Sequence, residues 1–308
     1  MSDIPSLVRQ ACARVAERAR YVTIERDAIA AYAAALPLRT PSPAPDPEAH
    51  LLEGTREERS AFWLTLDAIN FGSGWFPTLR KREGRSGYYT VASGVRERIA
   101  AAGPWAAEEL AVITPREVAQ ALGQDPGHEL MALFASSLAD LGRHVADEFK
   151  GRFLAVVEAA DGSAPALAGL LARWEGFADV SRYDGFAVPF YKRAQIAAAD
   201  LADGGVVRWR DADRLTMFAD NLVPHVLRQD GILRFSRDLS DRIDGGELIE
   251  HGAPEEVEIR ACALHAVELM VAARPGISAL EVDRLLWGRG GGPAYKSRPR
   301  HRSRSTAY

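Results

Sequence analysis

PEEVEIRACALHAVELMVAA, residues 254–273, is the stretch that decides the fold class. Val257, Ala261, Leu264 and Val271 return at the three-, four- and seven-residue intervals that share one side of an α-helix. Pro254 suits a first helical turn, and Glu255 and Glu256 place negative charge at the positive end of the helix. Glu268 falls on the apolar stripe with Leu264 and is expected to pair with a buried arginine rather than to carry chemistry. The same periodicity extends outward in both directions. It predicts helices over 5–20, 57–70, 93–102, 105–111, 115–122, 127–146, 165–174, 190–201, 212–229 and 278–287. Strand signals are few. The best is Tyr88–Val91 after the Gly84–Gly87 turn, paired with Phe76–Arg80 as a hairpin. The expectation is a mainly α chain: a single helical domain with a small β-hairpin.

Three segments interrupt the helical pattern. Residues 37–47 carry Pro37, Pro41, Pro43, Pro45 and Pro47, a stiff extended connector. Gly162–Pro165 reads as a turn. The final stretch, 288–308, is glycine-rich and then basic, with Lys296, Arg298, Arg300, Arg302 and Arg304; composition alone reads it as disordered or drawn to nucleic acid.

Bulk properties narrow the function classes. The chain of 308 residues is 47% hydrophobic and 26% charged, ordinary for a globular protein with a sizeable core. Its net charge of −4 disfavours non-specific binding to intact nucleic acid, which depends on clustered Lys and Arg. Cys12 and Cys262 cannot build a disulfide framework and match no zinc spacing, so no metal is expected. Arg9, Arg14, Glu17, Arg18 and Arg20 leave no apolar signal core near the start, and no apolar run approaches the ~20 residues of a membrane span. A cytoplasmic monomer without an organic cofactor is the expectation. Phosphate-loop, dinucleotide, zinc-protease and nucleophile-elbow signatures are absent.

What remains are charges set among apolar residues. Asp220 lies between Met217, Phe218, Leu222 and Val223, where a carboxylate is costly unless partnered; it reads either as a helix cap or as a functional acid. Lys192 and Arg193 open a helix after Phe190 and Tyr191, a plausible phosphate site or a solvated basic turn. Phe71, Trp75 and Phe76 flank glycines in 70–76 and read either as core or as a surface on which a flat heterocycle stacks, worth ~1–3 kcal/mol per base. Asp283 and Trp287, four residues apart, share a helix face and could meet one ligand.

Together these segments resemble a known family. FYKRAQIA (190–197), LTMFADNLVPHVL (215–227), EVEIRAC (256–262) with AVEL (266–269), DAINFGSGWF (67–76) and the closing HRSRSTAY (301–308) are similar, in the same order, to the queuosine salvage protein family. The resemblance runs from about His50 to Tyr308, and its FADxxxPxVL block is distinctive. It implies a mostly helical fold with some likeness to DNA glycosylases, and hydrolysis of the bond between a 7-deazaguanine base and ribose 5-phosphate. It also implies that the basic end is ordered against the body. By motif position, Asp220 matches the family's essential aspartate, Phe218 its base-contacting aromatic, and His50, Asp283 and Trp287 its queuine contacts. Where many relatives carry an aromatic after the aspartate, this chain has Asn221.

The implied chemistry suits these residue types. N-glycoside cleavage passes through an oxocarbenium-like sugar, so a fixed carboxylate stabilises the developing charge or attacks to form a transient bond. A 7-deazapurine cannot be protonated at position 7, so activation comes from hydrogen bonds elsewhere on the base. The expected substrate is a small-molecule nucleotide, with Lys192, Arg193, Arg302 or Arg304 on its phosphate. A base glycosylase acting on a polynucleotide and a non-catalytic queuosine-binding protein are the alternatives.

Overall fold

The computed structural model describes residues 3–37 and 44–308. Of the proline-rich connector expected over 37–47, residues 38–43 lie outside the described residues.

Helices dominate. The amino-terminal third comprises α1 (Ile4–Ala16), β1 (Val22–Ile24), α2 (Arg26–Ala35), α3 (Arg56–Ala68), α4 (Gly87–Ala102) and α5 (Ala107–Ala111). The middle comprises α6 (Pro115–Leu122), α7 (Glu129–Phe149), α8 (Phe153–Glu158), α9 (Ala164–Leu171), β2 (Val180–Tyr183), β3 (Phe186–Pro189) and α10 (Lys192–Asp203). Then follow α11 (Leu222–Gln229), β4 (Leu233–Phe235), α12 (Arg237–Asp244), α13 (Pro254–Ala273), α14 (Ala279–Gly290) and α15 (Pro293–Lys296). The buried apolar side chains form one connected cluster from Ile4 to Leu286. No helix among the described residues is long and apolar enough to cross a membrane.

The helix over 254–273 forms as its caps and periodicity require, but it is buried on more than one face. Val257, Ile259, Ala261, Ala263, Leu264, Ala266 and Val267 are all inside, and so are Glu256, Glu258 and Arg260. Charges so placed must be partnered. Glu258 accepts the backbone N–H groups of Arg20 (2.9 Å), Tyr21 (2.7 Å) and Val22 (3.0 Å) and the Tyr183 hydroxyl (2.7 Å). One carboxylate thus fixes the entry to β1 and one strand of the β2–β3 hairpin against α13. Glu268 pairs with Arg9 of α1 at 2.9 Å, at a partly exposed edge and not with a buried arginine.

Two sequence expectations are corrected. The hairpin is not at 76–80 and 88–91. Phe76–Thr78 is one turn of 3₁₀ helix, and Tyr88–Val91 lies in the first turns of α4, whose N-cap Ser86 accepts the Tyr89 N–H through its hydroxyl (3.3 Å). The cap overrides the β propensity of the aromatic and β-branched residues. The hairpin is β2–β3, turned by Asp184 and Gly185, both at positive φ (43° and 84°), as a two-residue hairpin turn demands. A second antiparallel pair joins β1 to β4, with Val22 opposite Phe235. The helix expected over 212–229 is also broken: a 3₁₀ turn at Ala212–Arg214 is followed by extended chain before α11 begins at Leu222. That break carries the FAD segment.

The last eight residues are tied to the body. Ile249 donates its N–H to the Arg302 carbonyl (2.9 Å) and Gly72 its N–H to the Tyr308 carbonyl (3.0 Å). A Cβ on Gly74 would strike the Ser303 carbonyl, so glycine is what lets the two segments touch. His301, Ser303, Ser305, Ala307 and Tyr308 are buried.

Candidate functional site

The extended segment 216–221 has no ladder of its own, so its polar groups are held one by one from separate elements. Gln195 of α10 accepts the Thr216 N–H (3.0 Å) and donates to its hydroxyl (2.9 Å). Asp283 of α14 accepts the Phe218 N–H through Oδ1 (2.9 Å). Arg260 of α13 donates from Nε to the Ala219 carbonyl (2.9 Å). Asn221 donates from Nδ2 to the Ser73 hydroxyl and to the His301 carbonyl (both 3.1 Å).

Arg260 is the hub. Fully buried, it also grips Asp179 with both terminal nitrogens (3.1 and 2.6 Å) and lies between the rings of Phe190 (3.9 Å) and Tyr308 (4.5 Å). Asp179 in turn accepts the Lys192 N–H (3.2 Å) at the start of α10, where Tyr191 sits at φ 48°. A non-glycine residue in the left-handed region is costly and persists where its surroundings over-determine it. Burial would raise the Glu256 carboxyl, yet His251, Arg260 and the Gly252 N–H together bring it down to about 2.

Asp220 divides its labour. Its Oδ1 accepts the N–H groups of Leu222 (2.7 Å) and Val223 (3.2 Å) at the start of α11, while Oδ2 makes no hydrogen bond to any described residue. The capping role is therefore real and leaves one oxygen unspent. Lys192 is buried, and its ammonium donates to the Asn70 carbonyl (2.9 Å) and side-chain oxygen (3.1 Å), leaving a third N–H. Burial lowers its pKa, against Asp220 and then Asp67, which favour the charge. Asp67 of α3 accepts from Asn70 Nδ2 (3.2 Å); burial pushes its carboxyl up to about 7, and Asp200 is raised by burial and by Asp67. Asp283 is pushed well above the usual carboxylate range, by burial first and by the charge of Asp220 second.

An aromatic cup adjoins these charges. One turn beyond Asp283, Trp287 meets Tyr88 and Tyr89 of α4 at 6.1 and 6.4 Å between ring centres. The Tyr88 hydroxyl lies 3.0 Å from His50 Nε2, and the His50 ring is tilted 30° over Trp63 at 5.0 Å. Burial drives the His50 pKa down to about 4, so its ring is neutral near pH 7, and its Nδ1 has no partner among the described residues. Among those residues, no three His, Cys, Asp or Glu side chains converge as metal ligands.

Residues 50–308 match the profile of the family described as Queuosine salvage protein. The chain belongs to that family. It is 37% identical to the Queuosine 5′-phosphate N-glycosylase/hydrolase of Sphaerobacter thermophilus, over 96% of this chain and 95% of that protein. Against the protein of the same name from Dictyostelium discoideum it is 31% identical, over 83% of this chain and 80% of the other. The Bos taurus protein of that name is 33% identical over 60% of this chain and 57% of its own length.

Within this queuosine salvage protein, Asp220, Phe218, Lys192 and Asp283 are brought together by the FAD segment, and Trp287 and His50 by the aromatic cup. Asn221, at the end of that segment, ties it to the carboxy-terminal stretch through the His301 carbonyl. Phe71 is buried elsewhere, packed on Phe134 (5.0 Å) and beneath Arg193 (4.8 Å). Trp75 donates from Nε1 to Glu129 (2.7 Å). Arg193 is committed to the carbonyls of Ala68 and Gly176. Sequence reasoning missed Tyr88 and Tyr89, which it placed in a strand; the helix-capping Ser86 ahead of them was the available signal. It also missed Arg260, whose charge amid EVEIRAC marked a buried ion pair.

Proposed function

We propose that this chain hydrolyses the N-glycosidic bond of queuosine 5′-phosphate, releasing queuine and ribose 5-phosphate. The observation that carries the reading is Asp220: one oxygen is locked by two N–H groups of α11, and the other makes no hydrogen bond to any described residue, its charge felt by the buried Lys192 ammonium. A carboxylate oriented without freedom to turn away suits a developing oxocarbenium ion, because the reorganisation is done before reaction. The same oxygen serves as counter-charge or forms the glycosyl bond that water then opens. Phe218 and the cup of His50, Tyr88, Tyr89 and Trp287 suit a flat base, and Lys192 and Asn221 suit the sugar side. The reading includes a cytoplasmic monomer acting on a mononucleotide and not on tRNA. Incubation with queuosine, its 5′- and 3′-phosphates and queuosine-containing tRNA, followed by mass spectrometry, tests it. Free queuine is expected chiefly from the 5′-phosphate; comparable release from tRNA, or none from any substrate, overturns it.

Asp283 gives the reading a pH signature. The pyrimidine edge of queuine and its aminomethyl nitrogen both present N–H donors, which favour an ionised carboxylate partner. In the free protein, burial and then Asp220 raise Asp283 well above the usual carboxylate range, against the Phe218 N–H, Lys192 and Arg284. Its pKa is thus high before binding and falls on binding, so binding releases a proton. Queuine affinity is expected to rise with pH, by up to about tenfold per unit, until free Asp283 ionises. Calorimetry in buffers of different ionisation enthalpy reads the proton directly. Asp283→Asn keeps the acceptor for Phe218 and is expected to abolish proton release; unchanged release in that variant refutes the assignment.

A further inference from the structure

A nucleotide 5′-phosphate brings close to two negative charges near a ribose that Asp220 also faces, and it needs a cation on the sugar side of the site. Most of the cations first considered for it are engaged elsewhere. Arg193 holds two carbonyls, Arg302 donates to the Gly246 carbonyl (3.1 Å), and Arg304 pairs with Glu129 (3.3 Å). Lys192 gives two of its three N–H groups to Asn70 and is buried under the influence of Asp220 and Asp67.

Arg300 differs from these. It is half-buried and makes no hydrogen bond or ion pair with any described residue. The chain on either side of it is nonetheless held. The carbonyl of the next residue, His301, accepts from Asn221, the neighbour of Asp220. Five residues earlier, Tyr295 is held by its hydroxyl on Asp230 (2.7 Å) and by its carbonyl, 2.7 Å from His225 Nε2. The charges that reach the guanidinium are Asp220, which favours its charged form, and Arg302, which opposes it, while burial is the largest influence and disfavours the charge. Beside it, His225 is buried with an Nδ1 that has no partner among the described residues; burial first, and Arg300 among the nearby cations, keep that ring neutral.

A partly desolvated arginine with no protein acceptor, on a backbone held at both ends, is a site prepared for an anion. Resting on the proposed nucleotide hydrolysis, we propose that Arg300 receives the 5′-phosphate of the substrate and so sets the preference for the nucleotide over the nucleoside. Within reach of the charge of Asp220, the guanidinium also offsets the repulsion between phosphate and carboxylate.

The test uses the full chain with Arg300→Ala and Arg300→Lys, checked by thermal melting. The ratio of kcat/KM for queuosine 5′-phosphate to that for queuosine is expected to fall roughly 10- to 100-fold in Arg300→Ala, the loss of a charge-assisted hydrogen bond, and to recover in part in Arg300→Lys. An unchanged ratio overturns the proposal, whether both substrates keep their rates or both lose them equally; an equal loss would mean that Arg300 acts only on Asp220 or on the fold. Calorimetric titration with ribose 5-phosphate separates this from the reaction itself. Even a wild-type chain that released no queuine would still be expected to bind ribose 5-phosphate, and Arg300→Ala to bind it far less; equal binding by both overturns the assignment independently.

Discussion

Asp220→Asn is expected to lower turnover of queuosine 5′-phosphate by at least ~10²–10³-fold while leaving the fold intact and queuine binding no weaker. Asparagine retains a side-chain oxygen for the Leu222 and Val223 N–H groups, and Asn and Asp are comparable at helix starts. The substitution therefore removes charge without removing the cap, which Asp220→Ala would confound by ~0.5–2 kcal/mol of lost capping. Two neighbours supply a second readout. Asp220 favours the charged form of Lys192 and raises Asp283, so in the variant the Lys192 pKa falls further and Asp283 ionises at lower pH. Single-turnover kinetics with queuine titrations check the claim. A variant that keeps more than about a tenth of the wild-type rate, a barrier change below ~1.4 kcal/mol, would sink the role assigned to Asp220.

Ending the chain after Gly288 is expected to be the most destabilising simple change. It removes Arg289 and Tyr295 from Asp230 (3.0 and 2.7 Å), the His301 carbonyl from Asn221, and the Tyr308 ring from Arg260. Arg260 would keep its charge but lose one wall, and Glu256 would face the space left by Tyr308. Losses above ~4–5 kcal/mol follow from such combined cavities and exposed buried charges, enough to unfold many proteins of this class. Because the shortened chain is expected not to stay folded, Tyr308→Ala is the quantitative companion, with an expected cost of about 3–5 kcal/mol by denaturant unfolding. Wild-type melting of the shortened chain, with unchanged discrimination between nucleotide and free queuine, would mean that the end is a solvated appendage.

The elements legible in the sequence were those whose signal is local. α13, α6 and α14 announce themselves by Pro254, by Thr114 with Glu117 and by Ser278 with Glu281, followed by apolar periodicity. Elements closed by distant partners were not legible. β1 and β4 have three residues each and form only because Glu258 and each other satisfy their backbones. Tyr88 and Tyr89 carry β propensity and are helical because Ser86 caps them. In the site, the acid of the FAD segment and the Asp283–Trp287 pair could be named from motif and spacing. That the Asp220 carboxylate both caps and stays open could not, since periodicity says nothing of which oxygen is spent. Arg300 was hidden among similar tail arginines and is distinguished only by having no acceptor.

The way Arg260 and its partners assemble the FAD segment has a consequence for biosynthesis. The segment has no local support: its anchors are contributed by residues as far upstream as Ser73 and as far downstream as His301. Helices such as α7 form within about a microsecond, but the bonds that shape the segment close loops across much of the chain, as Asn221 and Ser73 do across 148 residues. Eighty-eight residues separate Asp220 from Tyr308. At ~5–20 residues per second, a ribosome needs on the order of ten seconds to make them. For most of that interval Asn221 is without the His301 carbonyl, and Arg260, once made, is without Tyr308. The growing chain is therefore expected to lack a completed FAD segment until Tyr308 docks against Arg260.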